Sequence, residues 1–547
     1  MFKRITVFAL VIAMLALASC ASPAATGSSQ TVGTTAETAA ATSAAATTTQ
    51  PAEKYTYEIV QGLLAPVEEN APMIKYWEDQ FGVDFVIDYV ESAKLTEIMP
   101  LRFASQEIPD VITNLGYSTF YDLVNEGIAG TWTEEFLRSS APDIAKHLDE
   151  LGDDAWAISK HDNGEMFTIP GVNAEYMYGS AIIWRDSWLK KVGESIPKTL
   201  ADAERVLYKF RNDDPDGNGQ KDTYGLSQDG MTQIFGACGA PMSTLFGANG
   251  DKVSNWIKDE NGNMVYSSVA SGAKEALTIL AKWYKDGVVD PEFITGENKG
   301  GYWAISHAFC NGRIGFTTRG INNHWRLPEN LQTGTAAFAN QELFMQNYPG
   351  ETYDFGYPLE GKDGTRWSGF RSYAFWSCFA KKMTDDQGKF AKFLQIIEKV
   401  NGYTKPEDYL TARFGIEGTN WDYDANHVPQ SKDGFKTAEE LTAIGGGTVF
   451  TFANNYVASN LLNPSYSEWR DKMYADPERS EVWKNYITRP LPSATDYQSE
   501  LDKIIDEGYV SIITGEKPVS YFDELVAAWK KAGGDILTQE ANDMVKE

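Results

Sequence analysis

The chain has 547 residues, of which 42% are hydrophobic and 13% aromatic, so it is long and apolar enough for two or more globular domains. Its formal net charge of −28 argues against nucleic acids and anionic lipid surfaces as partners. Besides Cys20 there are three cysteines, Cys238, Cys310 and Cys378, with no CxxC pair, so neither a disulfide framework nor a zinc site is indicated.

Residues 1–20, MFKRITVFALVIAMLALASC, have the order of a lipoprotein signal peptide. Lys3 and Arg4 precede an apolar run from Ile5 to Leu17, and Cys20 follows two small residues, as in the lipobox of bacterial lipoproteins. The run is short for an uncleaved membrane helix, which makes that alternative the weaker one. We therefore expect lipid attached to Cys20 and a protein held at the extracellular face of the cell membrane, in a Gram-positive bacterium.

Residues 21–53 are rich in Ala, Ser and Thr and contain no aromatic residue. Such a segment buries too little apolar surface to offset the entropy that ordering would cost. We expect a flexible tether, with an r.m.s. span of about 30 Å.

The next segments alternate between strand and helix patterns. Strands are predicted at 55–60, 83–90 and 109–114, with helices at 66–82 and 92–106 between them. A βαβαβ order predicts an α/β fold with a mostly parallel sheet and with ligand-binding positions at the carboxyl ends of its strands.

Later patterns continue the α/β alternation. Thr199 is a good N-cap for a helix at 197–210. The remaining predicted elements are a strand at 224–228, a helix at 271–287, a strand at 312–320 and a helix at 385–400.

A polar loop, DDPDGNGQKDTYGLS at 213–227, joins the helix at 197–210 to the next strand. Positions 1, 3, 5, 7 and 9 of a calcium loop are matched by Asp214, Asp216, Asn218, Gln220 and Asp222, with Gly219 at position 6. Position 12 is Gly225 and not the usual Glu, so a sixth ligand would come from Thr223, Asp213 or water. We predict one structural Ca²⁺ here; the alternative is a solvated Asx/Gly turn.

Several segments resemble the extracellular solute-binding proteins of family 1, in their large lipoprotein-anchored group. They keep that family's order from about residue 54 onward: IPDVITNLG, FTIPG, IIWRDSWLKKVGESIPKTLADAERVLYKFRNDDPDGNGQKDTYGLS, AKWYKDGVVDPEF, GRIGF and FGIEGTNWDYDANHVPQ. Relatives that bind alginate oligosaccharides have a calcium loop at the DPDGNGQKD position. Their last calcium ligand is acidic where this chain has Thr223.

The resemblance implies a periplasmic-binding-protein-like α/β fold, with two discontinuous lobes joined by a hinge. Lobe 1 would comprise 54–170 and about 365–455, and lobe 2 would comprise 175–360 and about 456–547. It also implies that a monomer captures a carbohydrate, most often an oligosaccharide, and delivers it to the transmembrane subunits of an ABC permease.

Sugars are bound by aromatic faces and by polar side chains that meet the hydroxyl groups. Candidates lie at predicted strand ends and crossovers: Asn114, Tyr117, Tyr176, Tyr178, Arg319, Asn323, Trp325, Arg371, Tyr373 and Trp376. The alternative for each aromatic residue taken singly is packing in a core.

No HExxH, GxSxG, Walker or GxGxxG motif stands in the context that its chemistry requires, so no catalytic residue is assigned. Two other functions remain open. A lipid-anchored glycosidase would need two carboxylates facing each other across a cleft, and the same fold could instead bind a peptide or a small polar solute.

Overall fold

A computed structural model describes residues 54–171, 180–242, 256–295, 305–325, 339–367, 373–375, 377–425, 427–453, 455–480, 486–487 and 489–546. The chain divides into two units, Met1–Glu53 and Lys54–Glu547, and every described residue belongs to the second. The predicted signal peptide, Cys20 and the tether lie outside the described residues. Among the helices that are described, none is both long and apolar enough to cross a membrane.

The strands are short and are distributed along the whole unit. In chain order they are β1 (Thr56–Leu63), β2 (Asp84–Glu91), β3 (Val111–Thr113), β4 (Pro170–Gly171), β5 (Ile183–Trp184), β6 (Tyr224–Leu226), β7 (Trp256–Lys258), β8 (Met264–Tyr266), β9 (Ile314–Thr317), β10 (Asp354–Phe355), β11 (Ala374–Phe375), β12 (Ser377–Phe379), β13 (Trp421–Tyr423) and β14 (Pro429–Ser431).

Helices make up most of the regular structure. They are α1 (Pro72–Phe81), α2 (Leu95–Ala104), α3 (Tyr117–Asn125), α4 (Glu134–Ser140), α5 (Pro142–Leu151), α6 (Asp153–Ile158), α7 (Asp186–Lys191), α8 (Leu200–Asn212), α9 (Met231–Ala237), α10 (Ser271–Lys285), α11 (His307–Cys310), α12 (Ala339–Asn347), α13 (Lys381–Thr384), α14 (Gln387–Val400), α15 (Pro406–Phe414), α16 (Ala438–Ala443), α17 (Tyr456–Ser459), α18 (Pro464–Tyr474), α19 (Pro477–Ser480), α20 (Ala494–Ile513), α21 (Tyr521–Trp529) and α22 (Asp535–Met544).

The first sheet has the strand order β12-β3-β1-β2. Strand β1 is parallel to β2 and to β3, whereas β12 is antiparallel to β3. Tyr57 and Ile59 of β1 are buried on one face and Val60 on the other, so helices cover both faces of the sheet. The predicted βαβαβ order and parallel sheet are confirmed. We call this sheet, with the side chains packed on it, the first core.

The helix predicted at 66–82 was placed too early, because α1 begins only at Pro72. Asn70 has a left-handed backbone, with φ of 61°, which ends any helical path before the proline. Pro72 then starts the helix, since it needs no N–H partner in the first turn. The predicted stop is confirmed: Gly82 is left-handed, and its N–H donates to the Glu78 carbonyl at 2.8 Å.

The second sheet has the order β10-β5-β9-β6, with β6 and β9 parallel. Helix α8 covers this sheet through Val206, Leu207 and Phe210. The predicted cap is confirmed, because the Thr199 hydroxyl accepts a hydrogen bond from the Asp202 N–H at 3.1 Å. This sheet and its packed side chains form the second core.

Each core draws on segments that are far apart in the chain. Buried residues of the first core come from Tyr57–Ile169 and Phe379–Ala453, and those of the second from Ile182–Leu359 and Ile487–Ala541. Strands β4 and β11 pair antiparallel. The chain leaves the first core after β4 and returns through β11, so these two passages run side by side.

Helix α5 of the first core contains a buried histidine. His147 is 5% exposed, and its ring centroid lies 5.3 Å from that of Tyr403. Burial lowers the pKa of the His147 imidazole to about 4, because an imidazolium would lose its hydration there. The amino end of α5 is capped from α14: Glu398 accepts N–H bonds from Asp143 and Ile144 at 2.6 and 3.1 Å.

We expect acid to destabilise the protein through His147. An unfolded chain protonates its histidines at pH values near 6.5, well before His147 is protonated in the native state. The neutral His147 therefore makes its full contribution to the free energy of unfolding above about pH 6.5. That contribution is lost as the pH falls toward 4, and the loss amounts to up to about 3 kcal/mol. Urea unfolding of wild type and of His147→Gln between pH 7 and 4.5 checks this.

The variant should lose less stability than the wild type over that range. The control is the exposed His427, replaced by Asn because its backbone is left-handed, with φ of 59°. Equal slopes against pH for wild type and His147→Gln would contradict the expectation.

Candidate ligand-binding site

A cavity of about 790 Å³ lies between the two cores. The first core contributes Ser118, Tyr121, Asp122, Asn125 and Asp162 to its wall. Facing them, the second core contributes a wall that includes Trp256, Ile487, Arg489, Leu491, Glu540 and Met544. A second depression, of about 510 Å³, is formed by the first core alone around Arg138 and Trp156. The larger cavity is the only one of the two to which both cores contribute.

Helix α3 supplies most of the first wall. It begins directly after β3, where Gly116 adopts a left-handed φ of 89° and lets the chain turn. Tyr117 and Tyr121 are buried, with ring centroids 6.2 Å apart, and Tyr121 lies 4.1 Å from the His161 ring. Burial raises the pKa of both tyrosine hydroxyls. They therefore remain protonated near neutral pH and can donate hydrogen bonds.

The second wall is held in place by Glu540 of α22. Its carboxylate accepts bonds from the Ser493 N–H at 3.1 Å and from the Ser493 hydroxyl at 2.6 Å. Pro490 and Pro492 restrict the backbone just before that serine. The segment that carries Arg489 is therefore restricted by the two prolines, and Glu540 holds its end at Ser493.

An ion pair connects the two walls. The Arg489 guanidinium donates to Asp162 at 2.7 Å, although the two residues are 327 positions apart in the chain. Asp162 belongs to the loop after α6 of the first core, and Arg489 lies between Ile487 and Leu491, which are buried in the second. The pair is partly exposed, so its stabilisation is modest, but it fixes the two walls relative to each other.

Of the sequence-predicted residues of the first core that the structure describes, Tyr117 contacts a residue of the cavity wall. Asn114 follows β3 and has a left-handed φ of 57°. Tyr117 is one turn before Tyr121, which lines the cavity. Tyr373 is half-buried and packs against the first core. The other predicted residues of the two crossovers, Tyr176, Tyr178, Arg371 and Trp376, lie outside the described residues.

In the second core, Arg319 lies just beyond β9 and Asp229 just beyond the neighbouring strand β6. The Arg319 guanidinium donates to both carboxylate oxygens of Asp229, at 3.0 and 3.1 Å. Burial raises the pKa of Asp229, and Arg319 acts in the opposite direction. The carboxyl ends of two parallel strands thus meet here, as the α/β pattern predicted.

Asn323 and Trp325 follow Arg319 in a short turn. Asn323 is half-buried, whereas Trp325 has no exposed surface. Its indole N–H donates to the Arg319 carbonyl at 2.6 Å, and its ring contacts Phe309 and Tyr353. Trp325 therefore supports the Arg319 backbone in this structure, and its role in sugar stacking stays a prediction.

Sequence reasoning did not single out Tyr121, Asp162, Arg489 or Glu540. Tyr121 lies in a stretch where no helix or strand was predicted, and the other three belong to no recognisable motif. Only the approach of the two cores brings Asp162 and Arg489 together. The prolines around Leu491 were the one local sign that this segment is rigid.

The loop at 213–222 is a compact network of side chains. Asp214 is left-handed, with φ of 47°, and its carboxylate accepts the N–H groups of Asn218 and Gly219 at 3.1 and 2.9 Å. The Asn218 amide nitrogen donates to Asp216 at 2.7 Å and to Asp222 at 3.2 Å. The Gln220 N–H donates to the Asn218 side-chain oxygen at 2.7 Å.

The carboxylates of this loop differ in their electrostatic surroundings. The N–H donated by Gly219 lowers the pKa of Asp214, while burial and the neighbouring Asp214 raise the pKa of Asp216. The Thr223 hydroxyl is buried and donates to the Phe210 carbonyl at 2.7 Å, so it points away from the loop. In the described part of the chain, no three His, Cys, Asp or Glu side chains are arranged to hold a metal ion.

Comparisons with known proteins agree on one fold. No family model matches the chain. Lipoprotein LipO of Bacillus subtilis (strain 168) is 24% identical over 90% of this chain and 92% of LipO. The fructooligosaccharide ABC transporter substrate-binding protein FusA of Streptococcus pneumoniae is 28% identical over 42% of this chain and 43% of FusA.

Solved structures extend the likeness over most of the chain. The alginate-binding protein AlgQ2, solved without calcium ion, has a TM-score of 0.60 at 17% identity and covers 90% of this chain and 99% of AlgQ2. FusA in complex with kestose has a TM-score of 0.59 with the same identity and coverage, and an EF-hand mutant of FusA is similar at 0.58. The fold is that of the two-lobed solute-binding proteins.

Proposed function

We propose that this chain is the lipid-anchored substrate-binding protein of an ABC importer, which captures a carbohydrate between its lobes and delivers it to a membrane permease. The observation that carries the proposal is the cavity of about 790 Å³ between the two cores. Its volume suits a ligand of several sugar units, since small-molecule sites generally measure about 300–1,000 Å³. Its lining combines apolar side chains with hydrogen-bonding groups, as such a ligand requires.

The two cores correspond to the proposed lobes, with 54–170 and about 365–455 in lobe 1 and 175–360 and about 456–547 in lobe 2. Support comes from the composition of the cores and from the antiparallel pairing of β4 with β11 at the proposed hinge. The chain crosses between the proposed lobes a third time at α18. Leu462, just before this helix, packs on lobe 1, and Trp469, within the helix, packs on lobe 2.

A thermal-shift screen against neutral and acidic oligosaccharides tests the function. A carbohydrate that binds only the folded protein should stabilise it by about 2.7 kcal/mol at one hundred times its Kd, and so raise Tm. Chromatography of the recovered ligand should show it intact. Cleavage would favour the glycosidase, and a response confined to peptides or small polar solutes would reject the carbohydrate proposal.

The sequence-predicted residues Asn114, Tyr117, Arg319, Asn323, Trp325 and Tyr373, with the undescribed Tyr176, Tyr178, Arg371 and Trp376, remain proposed contributors to ligand binding. Tyr117 has the strongest support, because its ring lies next to that of Tyr121 in the first wall of the cavity. Arg319 has support from its place at the carboxyl end of β9.

The loop at 214–222 is proposed to hold one structural Ca²⁺. The Asp216 and Asp222 carboxylates converge on the Asn218 amide, and the Asp214 carboxylate closes the turn behind it. This oxygen-rich set suits a hard cation. Asp214, Asp216, Asn218 and Asp222 would bind the ion together with the Gln220 carbonyl, and Asp213 or water would complete the set, because Thr223 points away. The ion would neutralise three neighbouring carboxylates and stabilise the turn between α8 and β6.

Chelation should therefore lower Tm, and added calcium should restore it. Asp216→Ala should abolish the calcium response and leave ligand affinity nearly unchanged. The matched control is Asp259→Ala, since Asp259 closes a similar turn by accepting the N–H groups of Asn261 and Asn263. Identical melting of the wild type in chelator and in calcium would mean that the loop is an ordinary polar turn.

Anchoring through Cys20 is proposed from the signal sequence alone. Cys20→Ser should release the protein from the membrane fraction into the medium, because the acylated thiol would be missing. Fractionation with an antibody against the folded protein measures this. A serine variant that stays with the membrane would contradict the lipid anchor.

A further inference from the structure

We infer that the cavity between the two lobes selects neutral oligosaccharides and rejects uronate-containing ones. The inference rests on the proposed function and adds the charge class of the ligand. It is based on which charged groups line the cavity and on how each is already engaged.

The described lining is strongly acidic. Four of its residues are carboxylates, Asp122, Asp162, Glu540 and Asp543, and one is a cation, Arg489. Four negative charges and one positive charge give the described lining a formal charge of −3. The net charge of the whole chain, −28, has the same sign and adds to the negative potential in the cavity.

The single cation of this lining is already engaged. The Arg489 guanidinium donates to Asp162 at 2.7 Å, across the gap between the two walls. A uronate that approached Arg489 would have to compete with that carboxylate. Near the carboxyl ends of β6 and β9, Arg319 is engaged in the same way by both oxygens of Asp229. Neither arginine is thus available to an acidic sugar without breaking an ion pair.

The carboxylates, by contrast, keep acceptor capacity. Asp122 lies on α3 with its carboxylate accessible from the cavity, and partial desolvation, followed by the nearby charge of Glu126, raises the pKa of its carboxyl. Asp543 pairs at 3.2 Å with Lys546, which is itself exposed and does not belong to the lining. Glu540 binds Ser493 and has further lone pairs.

Hydroxyl groups and carboxylates meet this lining differently. A sugar hydroxyl can donate to a carboxylate, and such charge-assisted bonds are stronger than neutral ones. A uronate places a second anion opposite the first, and the two repel each other even in water and more strongly where water is excluded. We therefore expect neutral chains to bind at least about tenfold more tightly than uronate chains of equal length.

The test compares two matched pairs by isothermal titration calorimetry with the full-length protein. The pairs are cellotetraose with its uronate form, cellotetrauronate, and fully methyl-esterified tetragalacturonate with tetragalacturonate. Within each pair the neutral member should bind more tightly, and the difference should shrink at high salt, because salt screens exposed charges. A uronate that binds as tightly as its neutral partner would overturn the inference.

Charge-removing variants locate the effect. Asp122→Asn combined with Asp543→Asn should reduce the ratio of the affinity for the neutral member to the affinity for the acidic member about tenfold, because two repelling charges are removed. Asp79→Asn on α1 removes a charge from an exposed position outside the lining and should leave the ratio unchanged. An unchanged ratio in the double variant would overturn the assignment. If no member of a broad carbohydrate screen binds, the proposed function itself fails, which is a distinct outcome.

Discussion

The architecture depends on the pairing of β12 with β3. Cys378 pairs with Ile112, and Phe379 with Val111, so a strand from the second half of the chain completes the sheet begun by β1. Between these two strands the chain builds most of the second core. The first core therefore cannot be completed until the chain has returned, and its return passage is held beside the outgoing one by β4 and β11. Each sheet therefore keeps its own strands, and the two are joined by these neighbouring passages.

Buried carboxylates reinforce that arrangement within the first core. Asp110, just before β3, is 2% exposed; it accepts the Glu58 N–H at 3.0 Å and pairs with Lys389 of α14 at 2.7 Å. Glu398, also on α14, caps α5. Each carboxylate has a partner from a distant segment, which satisfies a charge that would otherwise be costly to bury. Helix α14 is thereby joined to the sheet and to α5 at two separate points.

Carboxylates also form ion pairs and hydrogen bonds with distant segments at the cavity. Asp162 and Arg489 join the two walls, and Glu540 holds the segment next to Arg489. The described lining has more carboxylates than cations, so hydrogen-bond acceptors remain for the hydroxyl groups of a sugar. The acidic composition of the chain thus agrees with the neutral ligand class proposed for it. The loop at 214–222 shows the limit of such crowding. There the Asn218 amide lies between two carboxylates, and a calcium ion would meet the same need more strongly.

The sequence alone determined the local features whose signals are short-range. Alternation of buried residues placed β1 and β2, and side-chain chemistry placed the Thr199 cap and the Gly82 stop. The helix start at 66 was wrong because periodicity does not register the left-handed Asn70 before Pro72. The fold class followed from the βαβαβ order together with a family resemblance.

Tertiary structure alone decided the lining of the cavity. Asp162 and Arg489 meet only because two cores approach each other, and no pattern in a sequence encodes a contact across 327 positions. It also decided that Trp325 is buried against Phe309 and Tyr353, since packing depends on neighbours that the local sequence does not name. Local order follows from neighbouring residues, whereas a cavity between two cores follows from how distant segments are brought together.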